Sequence, residues 1–289
     1  APKAKLVMVD IDDAELGKMK RIGRPLYRSI LYDASEFLQE LCVEAAHHPM
    51  RDTEGWLDQC MRWRSDYSPM LPVYFQEKLN PYAFVEALGR VLNPDDVIVS
   101  DTGCALGWMA QAFKFTGQRF LHAWNNTPMG YGLPAAVGAA FADRDRRIVL
   151  ITGDGGLAVN ITEFATVARH DLNIKTILFN NRGHAMCRQT QRTWLGGEYP
   201  STSFDGGLAT PDYAAVAQAY GIPAHSCDSL LDATLYEGGL TKLLYHKGPG
   251  FLNLNIEDAY QISPQVRAGK LLHDADPALP AEELARVMA

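Results

Sequence analysis

The chain has 289 residues, of which 47% are hydrophobic and 21% charged, so it is long enough to bury one large core or two smaller ones. Its net charge of −7 argues against nucleic acid as a partner, and we expect no membrane partner because no apolar run of spanning length and no charged leader is present. Five cysteines without CxxC spacing do not resemble a disulfide framework and favour a reducing, cytoplasmic setting.

The first segment has the pattern of a buried strand. Residues 5–11 read KLVMVDI, and a parallel strand that is buried on both faces needs neighbours. No element precedes it, so we expect its neighbours elsewhere in the chain or in another chain. The spacing of the apolar residues predicts two helices after this strand, over residues 35–46 and 52–67. The second carries an aromatic stripe that we interpret as a packing face.

From Leu79 onward the pattern is that of a compact domain. We predict a helix over residues 81–91 and a buried strand over residues 97–100, followed by the turn DTGC and another helix. Residues 125–138 read NNTPMGYGLPAAVG and are dense in small side chains. Small residues allow a helix to pack closely against a sheet or against another subunit.

A strand, a glycine turn and a helix follow one another in the middle of the chain. The strand at residues 148–151 is rich in β-branched residues and ends at GDGG, residues 153–156. We expect the glycines to turn the backbone sharply and the next helix to run over residues 160–170. The N-terminus of a helix presents free backbone N–H groups, so this arrangement predicts an anion site.

Asp154 and Asn181 predict the chemistry of that site. A second buried strand at residues 176–179 ends at Asn180-Asn181, and parallel strands joined by one crossover helix bring their carboxyl ends to the same edge of the sheet. A carboxylate oxygen and an amide oxygen are hard ligands of low total charge. They suit a Mg²⁺ ion that takes its remaining ligands from a diphosphate. The sequence therefore predicts a metal-bridged diphosphate.

Two other interpretations of these residues remain open. Glycines such as those at 153–156 occur in ordinary strand-to-helix turns, and Asn180-Asn181 is typical of an Asx turn. A dinucleotide site would need GxGxxG followed by an acidic residue about twenty positions later. Here an acid lies inside the glycine turn, where it would repel a bare pyrophosphate unless a cation intervened.

The last part of the domain completes the predicted sheet. We expect a helix over residues 211–220, a short strand over 224–227, a helix over 230–245 and an alternating strand over 250–256.

The combination of GDG, a spacer of this length and NN resembles the signature of the thiamine diphosphate enzymes. Residues 9–18, VDIDDAELGK, and residues 125–138 are similar to the acetolactate synthase group of that family. The resemblance implies a doubly wound, mostly parallel α/β sheet flanked by helices and preceded by a remnant of a central α/β domain. The expected limits are 1–34 for the remnant, 35–78 for a helical linker, 79–262 for the diphosphate and Mg²⁺ domain, and 263–289 for a C-terminal arm folded over the active site.

The resemblance also assigns residues of the site. It implies that Asp154, Asn181 and the backbone carbonyl of Gly183 hold Mg²⁺. It places Met129 under the bend of thiamine diphosphate, with the carbonyl of Thr127 and the N–H of Met129 on the aminopyrimidine ring. The implied cofactor contacts are Gly103, Cys104, Ala105, Thr127, Met129, Gly153, Asp154, Gly155, Gly156, Asn181, Gly183, His184, Ala185 and Met186.

Two positions depart from the pattern of the resembled group. Gly103, Cys104 and Ala105 stand where that group has Gly-Gln-His, so two polar contacts are missing. Cys104 has no neighbouring base visible in the sequence, and we interpret it as a small buried thiol rather than a nucleophile. Thr190 stands where true acetolactate synthases have a tryptophan that selects the second keto acid. This departure puts the usual second substrate in doubt.

The stretch after Asn181 predicts a loop beside the cofactor. Residues 182–204 are polar without a strong period, and such a stretch is typical of a substrate-covering or binding loop. The resemblance implies that His184, Ala185 and Met186 form a diphosphate-contacting turn that leads into a short helix. Arg188 and Gln189 match the resembled group and are candidate contacts for a keto-acid carboxylate, with a surface arginine as the alternative. A solvated loop histidine remains an alternative for His184, and an ordinary core methionine for Met129.

The resemblance implies decarboxylation of a 2-oxo acid such as pyruvate and ligation of the acyl unit to a carbonyl acceptor, with thiamine diphosphate and Mg²⁺ as cofactors. FAD is left open. The activating glutamate of this family comes from a pyrimidine-binding domain whose pattern is missing from the sequence. We therefore expect a partner polypeptide that supplies it, in a dimer or tetramer of such pairs, and a chain that is part of a longer or split protein. A simple 2-oxo acid decarboxylase and a non-catalytic assembly subunit are the rival hypotheses.

Overall fold

The computed structural model describes residues 4–21, 25–48, 52–76, 78–234, 238–266, 269–271 and 273–288. They belong to two compact units, Ala1–Tyr67 and Ser68–Ala289. The boundary between the units falls within the stretch expected to be a helical linker, and the expected domain limits stay predictions. No helix in the described ranges is both long enough and apolar enough to cross a bilayer.

The first unit combines two short parallel strands with three helices. Strand β1 (Val7–Asp10) is followed by helix α1 (Asp13–Arg21) and by strand β2 (Arg28–Leu31), which pairs with β1. Helices α2 (Ala34–His47) and α3 (Glu54–Asp66) complete the unit. The neighbour that we expected for the first strand is thus β2. The sequence did not predict β2, because its four residues include a polar pair and no continuous apolar run.

Side chains of this unit are less buried than the sequence patterns predict. A strand buried on both faces was expected at residues 5–11. The strand lies in a sheet of only two strands, which does not bury it, and Val7 remains 44% exposed to solvent. On α3, Trp56 and Trp63 form an edge-to-face pair with ring centres 5.5 Å apart, yet Trp56 remains 62% exposed. The aromatic stripe is therefore not a buried packing face within the described residues.

The second unit is built on a six-stranded parallel sheet. Its elements begin with a 3₁₀ turn (Pro72–Phe75), α4 (Pro81–Val91), β3 (Val97–Ser100), α5 (Cys104–Ala112), β4 (Arg119–Leu121), α6 (Gly132–Ala142), β5 (Ile148–Gly153), α7 (Asp154–Asn160), a second 3₁₀ turn (Ile161–Glu163), α8 (Phe164–Arg169) and β6 (Ile174–Asn180). The remainder are α9 (Ala185–Trp194), α10 (Tyr213–Ala219), β7 (Ala224–Cys227), α11 (Leu230–Thr234), α12 (Gly239–Tyr245) and β8 (Gly250–Asn255). The strand order is β4-β3-β5-β6-β8-β7 with every neighbouring pair parallel, which confirms the predicted doubly wound sheet.

Helices cover both faces of this sheet because successive strand residues point to opposite faces. Each face has its own apolar cluster. One cluster includes Phe84, Trp108, Val149, Ile151 and Phe179. The other includes Leu133, Leu150, Phe164, Leu178 and Tyr213. Burial on both faces explains why the central strands β3 and β5 are nearly continuous apolar runs in the sequence.

The helix after β5 begins earlier than the sequence predicts. We expected a glycine turn and a helix from residue 160, but α7 begins at Asp154, directly after the strand. The glycines of this turn are not among the residues with positive φ. Their small size is what matters, since a Cβ at Gly155 would lie 2.2 Å from Nδ1 of His184, and a Cβ at Gly156 would lie 2.9 Å from Cγ of Asp101.

Two other predictions differ in detail from the structure. The lack of a period at residues 182–204 predicted an irregular stretch, whereas the resemblance implied a short helix after the turn at residues 184–186; that helix is α9, and it has ten residues. Residues 230–245 were expected to form one helix, but α11 ends at Thr234 and α12 begins at Gly239. Gly239 fits closely against the sheet, because a Cβ there would lie 2.6 Å from Sγ of Cys227.

The end of the chain forms a short antiparallel pair, β9 (Gln265–Val266) and β10 (Ala275–Asp276), and a helix, α13 (Ala281–Met288). The start of this tail is tied to α4 and α5. The hydroxyl of Tyr82 accepts from the N–H of Ser263 at 2.9 Å, and Nε2 of Gln111 donates to the carbonyl of Pro264 at 2.7 Å. A position of the arm over the active site stays a prediction.

Candidate active site

The carboxyl ends of β3, β5 and β6 surround a cavity of about 200 Å³. The strand order reverses at this point, since the chain runs from β3 outward to β4 and then returns to β5 on the other side of β3. Such a reversal leaves a crevice at the carboxyl edge of a parallel sheet, where ligands bind. The turns after the three strands and the loop before α6 form the wall of this cavity.

The cavity gathers every residue that we predicted to contact the cofactor. These are Gly103, Cys104, Ala105, Thr127, Met129, Gly153, Asp154, Gly155, Gly156, Asn181, Gly183, His184, Ala185 and Met186. The wall also contains Thr102, Trp108, Phe179 and Cys187, which the sequence did not indicate. Trp108 lies one helical turn after Cys104, a spacing that points to the same face and was available in the sequence.

Asp154 is the buried acid at the base of this cavity. Its Oδ1 accepts from the N–H of Gly155 at 2.7 Å, and its Oδ2 accepts from the N–H of Gly183 at 2.9 Å. The left-handed backbone of Arg182, with φ of 55°, makes the sharp turn that leads into Gly183. The hydroxyl of Tyr213 donates to the carbonyl of Asp154 at 2.9 Å. Burial raises the pKa of Asp154 to about 6 against the opposing effect of the N–H groups, and a bound cation would favour the charged form.

Asn181 brings an amide to the same place, and two orientations of that amide have different partners. In one, Oδ1 faces the carbonyl oxygen of Gly183 at 2.7 Å and Nδ2 donates to Oδ1 of Asp258 at 3.3 Å. After a half turn, Nδ2 donates to the carbonyl of Gly183 at 2.7 Å and Oδ1 accepts from Nη2 of Arg188 at 2.8 Å. The first orientation sets two acceptors against each other and also leaves Nδ2 2.8 Å from Nη2 of Arg188, so it needs a cation between the two oxygens to be favourable.

The chemistry of the wall fits a diphosphate held by a divalent cation. Asp154 is the one acidic side chain among the described wall residues, and none of them is lysine or arginine. Helices α5, α7 and α9 begin at this edge without a side-chain cap on the residue before them, so N–H groups of their first turns are available to an anion, except that of Gly155, which donates to Asp154. A diphosphate would therefore depend on these N–H groups and on a cation held by oxygens. In the described ranges, no group of three or more His, Cys, Asp or Glu offers a different kind of metal site.

Three wall residues can be compared with their alternative interpretations. Burial raises the pKa of the Cys104 thiol to about 12, which agrees with a buried thiol and not with a nucleophile. Burial, and to a smaller extent Arg188, lowers the pKa of His184, which favours the neutral imidazole. Met129 is 47% exposed, so it is not an ordinary core methionine in this chain.

Arg188 and Gln189, the candidate substrate contacts, do not reach the cavity wall. Both are buried, with 5% and 4% of their surface exposed. Nη1 of Arg188 donates to Oδ2 of Asp258 at 2.6 Å, and Gln189 exchanges hydrogen bonds with the backbone of Ile262 at 3.2 and 3.3 Å. Arg188 is therefore not the surface arginine that we held as the alternative, and both side chains are engaged away from the wall.

Asp101 organises the loop that carries Met129, a role that the sequence did not indicate. Its buried carboxylate accepts from the N–H groups of Thr102 at 2.7 Å, Gly130 at 3.1 Å and Gly132 at 2.9 Å. These bonds join the end of β3 to the start of α6. The one signal in the sequence was an acid placed directly after a buried strand.

Comparisons with known proteins agree with this geometry. Residues 101–254 match the family described as thiamine pyrophosphate enzyme, C-terminal TPP binding domain. The probable acetolactate synthase large subunit of Methanocaldococcus jannaschii is 30% identical over 96% of this chain and 46% of its own length. The acetolactate synthase large subunit of Pyropia yezoensis is 29% identical over 93% of this chain, and the isozyme 1 large subunit of Escherichia coli is 28% identical over 93%.

The chain spans about half the length of these curated relatives, 44% for the Pyropia protein and 45% for the Escherichia protein. The matched residues begin at Asp101 and include the wall from Thr102 to Cys187. The fold, the cavity and the family match therefore concern the same part of the molecule. The chain therefore belongs to the thiamine pyrophosphate enzyme family, whose C-terminal TPP binding domain it matches, and it is similar over almost all of its length to part of the acetolactate synthase large subunits.

Proposed function

We propose that this chain binds thiamine diphosphate with Mg²⁺ and takes part in decarboxylation of a 2-oxo acid, pyruvate or a close analogue, and ligation of the acyl unit to a carbonyl acceptor. The observation that carries this proposal is the convergence of oxygens from Asp154, Asn181 and Gly183 in a cavity whose described wall contains no lysine or arginine. The names of the acetolactate synthase relatives support the reaction class.

In this proposal the chain holds the cofactor and sets its environment. Asp154, Asn181 and the carbonyl of Gly183 are the metal ligands, and the first turns of α5, α7 and α9 supply N–H groups to the diphosphate. Thiamine diphosphate supplies the electron sink for cleavage next to a keto group when it is bound. Trp108 and Phe179, with ring centres 5.3 Å apart, form an apolar side of the cavity that excludes water from it.

We further propose that a partner polypeptide with the pyrimidine-binding domain completes the site. No glutamate lies among the described residues of the wall, and an acid that activates the aminopyrimidine must then come from elsewhere. The relatives are named large subunits, which supports an assembly of several chains. The five free cysteines support a reducing, cytoplasmic setting. Binding of FAD stays a prediction, to be checked by flavin absorbance of the purified assembly.

The proposal is tested in two steps. Calorimetric titration of the 289-residue chain with thiamine diphosphate is expected to show binding with Mg²⁺ present and little binding with EDTA. Pyruvate consumption by this chain alone is then expected to be negligible and to rise when the partner is added. Absence of Mg²⁺-dependent binding would refute the cofactor site, and robust turnover by the chain alone would refute the need for a partner.

A simple 2-oxo acid decarboxylase is the second candidate, and Thr190 favours it. The resembled acetolactate synthases have a tryptophan at this position that selects the second keto acid. Here the Thr190 hydroxyl donates to the carbonyl of Met186 at 3.1 Å, one turn earlier in α9. Product analysis separates the two candidates, because ligation yields an α-hydroxy ketone, which is a hydroxy-keto acid when the acceptor is a 2-oxo acid, whereas simple decarboxylation releases an aldehyde.

A further inference from the structure

Asp258 lies outside the cavity wall but contacts two residues of the candidate metal site. Its Oδ2 accepts from Nη1 of Arg188 at 2.6 Å, and its Oδ1 accepts from Nη2 of Arg188. The same Oδ1 accepts from Nδ2 of Asn181 at 3.3 Å. One carboxylate therefore bridges a buried guanidinium and the amide of the asparagine that we propose as a metal ligand.

Asp258 compensates the buried positive charge of Arg188. The side chain of Arg188 is 6% exposed, whereas that of Asp258 is 54% exposed. Within the described residues, Nε of Arg188 is buried without a hydrogen-bond partner. A buried guanidinium with an unused donor is costly, so it would recruit another acceptor if Asp258 were removed.

The nearest such acceptor is Asn181. After a half turn of its amide, Oδ1 accepts from Nη2 of Arg188 at 2.8 Å and is thereby engaged outside the metal site. In the opposite orientation, Oδ1 faces the carbonyl oxygen of Gly183, and Nδ2 donates to Asp258. Arg188 and Asp258 therefore favour opposite orientations of one amide.

We propose that Asp258 is a positioning residue that selects the metal-binding orientation of Asn181, an inference that rests on the proposed Mg²⁺ and thiamine diphosphate function. It does so in two ways. In the metal-binding orientation it accepts from Nδ2, which leaves Oδ1 directed at the oxygens of the metal site. In the other orientation Oδ1 of Asn181 would face Oδ1 of Asp258 at 3.3 Å, and two acceptors repel each other.

The test measures the Mg²⁺ dependence of thiamine diphosphate binding by calorimetry, with thermal unfolding of the cofactor-free protein beside it. Asp258→Ala is expected to raise the half-saturating Mg²⁺ concentration by about tenfold or more, as for other outer-shell partners of metal ligands. Asp258→Asn keeps an acceptor for Asn181 but weakens the contact with Arg188, and it is expected to give a smaller increase. It also serves if the alanine variant does not fold.

Asp228→Ala is the matched control. Asp228 is also exposed and accepts from an asparagine amide, Nδ2 of Asn255, at 2.8 Å, but away from the cavity wall. It is expected to leave the Mg²⁺ dependence unchanged. An unchanged Mg²⁺ dependence in both Asp258 variants would overturn the proposal.

Repeating the measurement in an Asn181→Asp variant distinguishes a positioning role of Asp258 from a general contribution to the stability of the fold. Asn181→Asp keeps an oxygen ligand but removes the Nδ2 donor, so Asp258 then repels the new carboxylate. Removal of Asp258 in that background is expected to leave Mg²⁺ affinity equal or improved, and an equal loss in both backgrounds would contradict the positioning role. Failure of the unaltered chain to bind thiamine diphosphate would instead reject the proposed function itself.

Discussion

The carboxylate of Asp154 and the backbone N–H of Gly183 are joined by a hydrogen bond of 2.9 Å although they lie 29 positions apart in the chain. The bond connects the residue after β5 to the turn after β6. It depends on the register of the two strands, in which Gly153 lies opposite Phe179. A shift of one residue would separate the proposed metal ligands, so the parallel pairing itself positions the site.

Asp154→Asn is expected to lower the affinity for thiamine diphosphate in the presence of Mg²⁺ by more than about 100-fold, because even outer-shell partners of metal ligands are worth about 10–100-fold. The amide has nearly the shape of the carboxylate but lacks its charge. Calorimetry measures the loss, and far-UV circular dichroism checks the fold. Asp205→Asn, at an exposed loop position, is the control and should bind normally. Normal binding by the Asp154 variant would contradict the metal assignment.

Gly155→Ala is expected to displace His184 from the cavity wall, since the new Cβ would lie 2.2 Å from its Nδ1. We expect the free energy of unfolding to fall by about 1–3 kcal/mol, offset in part by the helix preference of alanine, and cofactor affinity to fall as well. Urea titration and calorimetry measure the two effects.

Gly153→Ala is the matched comparison for Gly155→Ala, because a Cβ at Gly153 meets nothing within 4 Å. Its free energy of unfolding should change by no more than about 0.5 kcal/mol. Any loss of cofactor affinity in this variant then reports filling of the cavity alone. Equal destabilisation by both substitutions would show that the space next to His184 is not the cause.

Asp101→Asn is expected to destabilise the second unit, since the carboxylate accepts from three backbone N–H groups and an amide has only one oxygen to offer. A buried donor left without an acceptor costs about 1–3 kcal/mol. Urea unfolding measures the change, with the exposed Asp95→Asn as control. Proteolysis should also become faster in the loop before α6. A variant as stable as the unaltered chain would show that these bonds contribute little.

The buried side chain of Lys175 is expected to make the free energy of unfolding depend on pH. Its Nζ donates to the carbonyls of His246 at 2.6 Å and of Gly248, and burial, with a smaller contribution from Arg147, lowers its pKa from 10.5 to about 8. Between these two values the unfolded chain binds more protons than the folded chain, so this group makes the free energy of unfolding rise with pH from about 8 to about 10.5.

Lys175→Met removes that contribution and is the variant that measures it. The difference in unfolding free energy between the unaltered chain and this variant should grow by up to about 3 kcal/mol across the window, because one pKa unit corresponds to 1.36 kcal/mol. Subtraction cancels the other groups that titrate there. A difference that is constant with pH would contradict the lowered pKa.

Cys104 is expected to resist alkylation although it lines the cavity. Burial raises the pKa of its thiol to about 12, so almost no thiolate is present at neutral pH. Cys187 lies on the same wall but is exposed. Iodoacetamide followed by peptide mass spectrometry should label Cys187 and not Cys104, whereas urea-unfolded protein should be labelled at both. Fast labelling of Cys104 in the folded protein would reopen the nucleophile interpretation.

Local chemistry was sufficient to predict most of the sheet. The residues that the resemblance assigned to the cofactor line one cavity, and their contacts with the cofactor stay predictions. Apolar runs rich in β-branched residues marked β3, β5 and β6, because strands buried on both faces admit few polar residues, and alternation marked β8. The exceptions were short or polar. β4 has three residues, β2 includes a polar pair, and α9 is a polar helix without an apolar period, whose glutamine and arginine are buried only by tertiary contacts.

The sequence by itself determined that Asp154 and Asn181 follow two neighbouring strands, since composition and spacing are local properties. Only the tertiary structure decided what surrounds them. Asp101 fastens the loop of Met129, and Asp258 reaches Asn181 over a separation of 77 positions in the chain. Contacts of this kind produce no periodic pattern in the sequence, because they depend on how the turns after different strands meet at the edge of the sheet.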